Sequence, residues 1–176
     1  MINFDQKNQA HQYDLWIHSL HTVINLPRNM EDDMLYLAAL LHDIGKPDSV
    51  CVSNRPNDPN IHYYGHPQRS LEIVRDIVIP ELDNKGFVIS CMDVKRLLYY
   101  VAYHDDRVSR KLKHIKRHMK LASYEEFKYL MLLQIADTKA LIQIPIIAER
   151  VETCSALAAK EGKELYQMYL KECNKW

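Results

Sequence analysis

Residues 30–47 read MEDDMLYLAALLHDIGKP, and this stretch carries the clearest helical pattern in the sequence. Its apolar residues recur at helical spacing, and acidic residues fill the first turn, where the positive end of the helix dipole favours them. Four residues share the predicted apolar face: Met34, Leu37, Ala38 and Leu41. Asn29 is the expected N-terminal cap, and Gly45 followed by Pro47 is a typical helix end. The stretch therefore predicts an amphipathic helix over residues 30–44.

Helical spacing also recurs outside this stretch. It predicts further helices over residues 12–25, 67–79, 90–103, 124–139 and 147–173. Ser90 with Asp93, and Ser123 with Glu126, have the spacing of a capping box, whereas Gly162 weakens the last helix. The sequence shows no clear alternation of apolar and polar residues, the pattern that would indicate half-buried strands. We therefore expect an all-α fold, a compact bundle of roughly five to seven helices.

Residues 47–65, PDSVCVSNRPNDPNIHYYG, interrupt this helical pattern. They hold three prolines and three asparagines, which favour turns and loops. A loop of this length is uncommon as a mere connection, so we expect it to lie over a functional site.

The chain has 176 residues, the usual size of one domain. Hydrophobic residues make up 47% and charged residues 26%, so the composition excludes a wholly disordered chain. We expect a single domain over residues 1–176, with a core at about 8–140 and a C-terminal helical extension at about 145–174.

The cysteine content and the N-terminus bear on the cellular compartment. The 4 cysteines form no CxxC pair, which argues against a disulfide framework or a structural zinc site. The N-terminus lacks a basic segment followed by an apolar one, and no apolar stretch of about 18 residues occurs. We therefore expect a cytoplasmic protein without a membrane partner.

Charge is segregated along the chain although its net charge is +0. Residues 107–120 hold seven lysines and arginines and no carboxylate, and the remaining residues hold 16 cations against 23 carboxylates. Two interpretations stay open: a basic segment that binds a polyanion such as RNA, and a solvated helix balanced by acidic neighbours.

Histidine and aspartate residues recur at the ends of apolar stretches. His42 and Asp43 follow YLAALL, His104 follows LLYYVAY, and Asp137 follows LMLLQIA. Two polar groups at a buried helix end would cost several kcal/mol without partners, at about 2–7 kcal/mol each. A bound cation satisfies both, whereas hydrogen bonding within the protein is the alternative. His18 adds a further ligand type from the first helix.

These residues, in this order, resemble the HD-domain metal-dependent phosphohydrolase superfamily, whose signature is H…HD…D. The resemblance is closest to the HD domain of bacterial CCA-adding tRNA nucleotidyltransferases, without their nucleotidyltransferase head. The matching pieces are NQAHQYDLWIHSL at 8–20, YLAALLHDIGKP at 36–47, YYGHPQRSLEIV at 63–74, VAYHDD at 101–106 and LLQIADTKA at 132–140. No GYP sequence follows His104, which argues against the cyclic di-GMP phosphodiesterases of that subgroup.

The resemblance implies a ligand set for one or two divalent metal ions. The implied ligands of the first ion are His18, His42, Asp43 and Asp137. His66 and His104 occupy the places of the ligands to a second ion, with Asp43 as the bridge. A cap on the helix that begins at Pro67 is the alternative for His66, and a helix-end histidine is the alternative for His104. Such ligands suit Mn, Fe, Co, Ni or Zn better than Mg.

The resemblance also implies hydrolysis of a phosphomonoester or phosphodiester by metal-activated water. The expected substrate is a nucleotide, a cyclic nucleotide or an RNA end, and His42, Asp43 and Lys46 are the expected catalytic groups. Lys46 has a second interpretation, as a helix C-terminal lysine that interacts with the dipole. The expected substrate-binding residues are His11, Lys46, Arg69, Arg107 and Arg110. Two other functions fit the sequence: a di-iron oxygenase, and a non-catalytic module that binds nucleotide or RNA. The oligomeric state is left open.

Overall fold

The computed structural model describes residues 1–53, 58, 60–142 and 145–174. Its α-helices are α1 Leu15–Asn25, α2 Asp33–Leu41, α3 His66–Ile73, α4 Ile79–Asn84, α5 Cys91–Tyr103, α6 Leu112–Leu121, α7 Tyr124–Lys139, α8 Pro145–Ala158 and α9 Lys160–Cys173. The all-α class is confirmed. In the described part of the chain, no helix has the length and apolarity needed to cross a bilayer.

Because α3 and α4 belong to one unbroken helical segment, the described helices form eight continuous segments. This is one more than the five to seven helices expected. A π-helical turn, Val74–Val78, joins α3 to α4, so this continuous segment passes through Pro80 and ends later than predicted. The wider π turn accommodates a proline, which has no backbone N–H to donate. The predicted helix over 147–173 is instead broken at Ala159. A Cβ atom on Gly162 would lie 1.8 Å from the Leu157 carbonyl oxygen, so this glycine permits the close approach at the break.

Helix caps explain where several elements begin. Ser90 and Ser123 both cap their helices, since each side chain accepts a backbone N–H three residues on. The complete capping box forms only at Ser123, with Glu126, whereas Asp93 accepts from the Ser90 hydroxyl. The prediction for Asn29 is wrong: this residue has φ 63°, and Asp32 caps α2 instead by accepting from the Met34 N–H. Helix α2 therefore begins at Asp33 and ends at Leu41, which places His42 and Asp43 in the turns that follow it.

The predicted loop over 47–65 contains two short strands that the sequence did not indicate. Strand β1 (Cys51–Val52) pairs antiparallel with β2 (Ile61–His62). The N-terminal segment holds β2 from the other side, because the Ile61 N–H donates to the Lys7 carbonyl and Asn8 Nδ2 donates to the Ile61 carbonyl. Part of the predicted loop, residues 54–57 and 59, lies outside the described residues.

The hydrophobic core places the histidine-bearing helix ends next to one another. Helix α7 packs against α1, α2, α5 and α8, and its Phe127, Leu130 and Leu133 are fully buried. Leu35 from α2 and Tyr100 from α5 complete this core. The polar residues at the ends of these helices are thereby brought together on one side of it.

Candidate metal centre

Six histidine and aspartate side chains converge at one end of this core. They form two groups in which a ligand atom from each member lies within 4.8 Å of all the others. The first group is His18, His42, Asp43 and Asp137, and the second is Asp43, His66 and His104. All six residues are those that the resemblance implied as ligands, and together they could hold metal ions.

Asp43 belongs to both groups through different carboxylate oxygens. Its Oδ2 atom lies 3.2 Å from Nε2 of His42 and 3.5 Å from Nε2 of His18. Its Oδ1 atom lies 3.1 Å from Nε2 of His66 and 3.4 Å from Nε2 of His104. A single buried carboxylate thus faces one histidine pair through each of its two oxygens.

Three of the four histidines are held in one orientation by backbone carbonyl groups. In each case Nδ1 bonds the carbonyl three residues earlier, at 2.9 Å for His42, 2.8 Å for His66 and 2.8 Å for His104. A carbonyl oxygen only accepts, so each Nδ1 must carry the hydrogen. In the neutral ring the Nε2 lone pair is then directed at Asp43, which is how metal-binding histidines are commonly fixed.

Unpaired polar atoms support a metal ion at this place. In the described chain, both ring nitrogens of His18 and Nε2 of His42 are buried and lack an aligned hydrogen bond. Nε2 of His18 lies only 3.0 Å from Oδ1 of Asp137, but the ring is not oriented to donate to it. Buried polar atoms are nearly always paired, and an ion ligated by nitrogen and carboxylate oxygen supplies the missing partner of the two Nε2 atoms.

Without an ion, protonated histidine rings supply part of the positive charge that Asp43 and Asp137 require. Burial disfavours a charged ring, but Asp43 and Asp137 outweigh it and raise the pKa of His42 to about 10. Asp137 and Asp43 likewise outweigh burial and raise the pKa of His18. Burial would raise the pKa of Asp43, but His42 and Lys46 outweigh it and hold that pKa well below its usual range. The centre is thus a pair of ionised carboxylates that require nearby positive charge.

Lys46 places an ammonium group inside the site. It is buried, and its Nζ lies 2.6 Å from Oδ2 of Asp43 and donates to Oε1 of Gln6 at 2.8 Å. His11 lies beside it, with Nε2 at 3.5 Å from Nζ. Burial, followed by the charge of Lys46, lowers the pKa of His11 to about 3, so this ring is neutral near pH 7. Lys46 and His11 therefore lie beside the two groups of histidine and aspartate side chains.

Arg150 is a cation of the site that sequence reasoning missed. It projects from α8 and donates to Oδ1 of Asp105 at 3.0 Å and to the His104 carbonyl at 3.2 Å. Burial opposes its charge, but Asp137 and Asp105 raise the pKa of its guanidinium. The sequence around it, AERVE, reads as an ordinary exposed helix face and gave no signal.

The ligands open into a cavity of about 300 Å³. Among the described residues, its lining includes His11, Lys46 and Arg150 but not Arg69, Arg107 or Arg110. Arg69 is exposed and pairs with Asp48 at 2.7 Å. The structure therefore does not bring these three predicted substrate-binding arginines to the cavity at the predicted metal ligands.

The basic segment over 107–120 is partly neutralised within the chain. Arg110 pairs with Glu161 at 2.6 Å and Lys116 with Glu172 at 2.7 Å, both across to α9. Arg117 pairs with Asp106. These contacts favour the interpretation as a helix balanced by acidic neighbours over that of an RNA-binding surface.

Comparison with known proteins adds one finding. A family model described as HD domain matches residues 15–141 of the chain. Those residues include the six side chains that converge at the centre and exclude Arg150. No curated protein and no solved structure matches the chain.

Proposed function

The chain belongs to the HD-domain family, and we propose that it hydrolyses a phosphate ester of a nucleotide, a cyclic nucleotide or an RNA end with two divalent metal ions. The family supports metal-dependent hydrolysis in general, and the buried histidine and aspartate cluster fits a metal site. The resemblance to the HD domain of CCA-adding enzymes supports a substrate related to nucleic acid.

The observation that carries this proposal is the position of Asp43. One of its oxygens belongs to the group with His18, His42 and Asp137, and the other belongs to the group with His66 and His104. We assign these groups as the ligands of a first and a second ion, with Asp43 shared. Two such ions, when bound, lower the pKa of a water molecule and neutralise charge on phosphoryl oxygens.

The protein's own cations bind and orient the phosphate. Lys46 and Arg150 lie on the cavity wall, and each is fixed by a carboxylate, Asp43 and Asp105 respectively. A guanidinium donates in a planar fork that suits phosphate oxygens, whereas an ammonium acts as a point charge. His11, which is neutral near pH 7, accepts or donates a hydrogen bond to the substrate without adding charge.

The size of the cavity favours a small phosphate ester. Its volume of about 300 Å³ is at the lower end of small-molecule sites, which span about 300–1,000 Å³. Together with the ion pairs that neutralise the basic segment, this volume favours a mononucleotide or the terminal nucleotide of an RNA over a folded RNA surface.

Hydrolysis of chromogenic esters tests the proposal. Metal-stripped protein is resupplied with Mn, Fe, Co, Ni, Zn or Mg and assayed on p-nitrophenyl phosphate and bis-p-nitrophenyl phosphate. We expect metal-dependent release of p-nitrophenolate that Asp43→Ala reduces at least about 100-fold, as for loss of a central electrostatic group. Asp76→Ala is the matched control, since Asp76 is exposed and pairs with Arg75 outside the cavity.

The same assay can overturn the proposal. Turnover that survives in Asp43→Ala at the rate of Asp76→Ala excludes the assigned centre as the source of activity. An absence of turnover on both esters with every metal excludes general phosphohydrolase activity. Substrate-dependent oxygen uptake by the iron-loaded protein would then favour the oxygenase function.

A further inference from the structure

Two parallel aromatic rings lie at the wall of the cavity and have no part in the predicted metal centre. The rings of His62 and Tyr64 stack with an interplanar angle of 5° and centroids 5.3 Å apart, an offset arrangement. Both residues line the same cavity as Asp43 and Lys46. Neither residue belongs to the two groups of ligand atoms.

Tyr64 exposes a large aromatic surface in spite of this contact. Its side chain is 71% exposed, although one face of the ring is covered by His62. The opposite face is therefore open. The open face of the Tyr64 ring is apolar surface beside a polar cavity, and a planar ligand could stack on it.

The stacked rings of His62 and Tyr64, here called the platform, are held in place by hydrogen bonds to His62 and to its strand. Nε2 of His62 lies 2.8 Å from Oδ2 of Asp58, which fixes the orientation of the ring under Tyr64. His62 ends strand β2, which pairs with β1 on one side and contacts the N-terminal segment at Lys7 and Asn8 on the other. Preorganised aromatic groups bind without a large loss of conformational freedom.

We propose that Tyr64, stacked on His62, binds the planar base of a nucleoside monophosphate whose phosphate lies at the metal ligands. This inference rests on the proposed function and narrows its substrate to esters with an aromatic ring close to the phosphate. Base stacking on aromatic side chains is tolerant of sequence, because every base has a π face. The platform therefore selects nucleotides over sugar phosphates and does not by itself choose among the bases.

Binding of non-hydrolysable phosphonates tests the inference separately from catalysis. Calorimetric titration of the Mn-loaded protein compares the four nucleoside 5′-methylenephosphonates with the ribose analogue that lacks a base. Phenylphosphonate serves as a planar ligand that is not a nucleobase. We expect the nucleoside compounds to bind roughly 5- to 150-fold more tightly than the ribose compound, the range typical of one stacked base.

Variants at position 64 show whether stacking causes this preference. Tyr64→Ala is expected to remove it while leaving affinity for the ribose phosphonate and metal content unchanged, and Tyr64→Phe is expected to keep it. Phe87→Ala is the matched control, because Phe87 is an exposed aromatic residue outside the cavity lining.

Three results would overturn the inference: equal affinity of the wild-type protein for nucleoside and ribose phosphonates, equal weakening of both by Tyr64→Ala, and no binding of any nucleoside phosphonate. If phenylphosphonate binds as tightly as the nucleoside phosphonates, the platform binds planar rings in general, and the proposal that it recognises a nucleobase is wrong. Loss of ester hydrolysis in the chromogenic assay, with the binding preference intact, would reject the proposed function alone.

Discussion

Nε2 of His66 lies 3.1 Å from Nε2 of His104, and the Nδ1 atom of each ring donates to a backbone carbonyl. If both rings are neutral, two lone pairs face each other across this distance. A proton on one ring resolves the contact, and so does a cation between them. Two nitrogen ligands that each lie about 2.0–2.1 Å from one ion are separated from each other by a distance close to this 3.1 Å. The pair is therefore arranged for a shared cation.

Removal of metal is therefore expected to destabilise the fold. A ligand that binds only the native state stabilises it by about 2.7 kcal/mol at 100 times its Kd. For a chain of this size, about 1 kcal/mol shifts Tm by roughly 2–4 °C, so saturating Mn should raise Tm by about 5–11 °C. Thermal unfolding of the stripped and reloaded protein measures the shift. A Tm that does not respond to any divalent metal would contradict a preorganised ion site.

Arg150 provides a test of phosphate binding outside the family match. Arg150→Met removes the guanidinium but keeps most of the side-chain volume, and hydrogen bonds to charged groups contribute about 1.5–3 kcal/mol. We expect KM for p-nitrophenyl phosphate to rise about 10- to 150-fold with metal content unchanged. Arg69→Met is the control, because Arg69 pairs with Asp48 away from the cavity. Equal KM values for the two variants would reject Arg150 as a phosphate ligand.

Asp32 is expected to matter more for stability than its place in the sequence indicates. Its Oδ1 caps α2 and its Oδ2 accepts from the buried Tyr100 hydroxyl at 2.9 Å. Asp32→Ala removes the cap and leaves that hydroxyl unpaired, so it should lower the free energy of unfolding by about 2–4 kcal/mol. Urea denaturation provides the value. In Asn29→Gly, which leaves both bonds intact, the change should stay within about 0.5 kcal/mol.

Gly45 permits the close approach of α3 to the turn that carries Asp43. A Cβ atom at this position would lie 2.5 Å from the Ser70 backbone nitrogen and 2.8 Å from the Arg69 carbonyl carbon. Gly45→Ala should therefore destabilise the protein by about 1–3 kcal/mol and weaken metal binding, because α3 carries His66. Ser70→Ala leaves the buried Gly45 N–H without its hydrogen-bond partner but adds no clash, so it should cost about 1–3 kcal/mol. A Gly45→Ala protein as stable as the wild type would contradict the requirement for a glycine at this close approach.

Local sequence patterns predicted the features that depend on neighbouring residues. The caps Ser90 and Ser123 act on backbone groups three residues away, so spacing alone identified them. His42 and Asp137 lie at the ends of apolar helices. Because apolar helices pack in the core, both side chains could be expected to be buried, as they are. The order of the ligands, together with the family resemblance, was enough to select the six residues that the fold brings together.

The features that depend on distant contacts were not predictable in this way. Several polar residues precede α2, and the choice of Asp32 over Asn29 as the cap is tied to Tyr100, which is remote in sequence. Arg150 reaches the site only because α8 packs on α7. Arg110 has the charge expected of a phosphate ligand, but Glu161 on α9 holds it elsewhere.

The number of metal ions bound per chain tests the shared role of Asp43 most directly. Elemental analysis after equilibrium dialysis against Mn should find two ions in the wild-type protein and one in either His18→Ala or His66→Ala. Asp43→Ala should retain neither ion at the same free concentration, while Asp76→Ala should bind as the wild type does. Two ions retained in Asp43→Ala, or no more than one in the wild-type protein, would contradict a centre in which this carboxylate serves both sites.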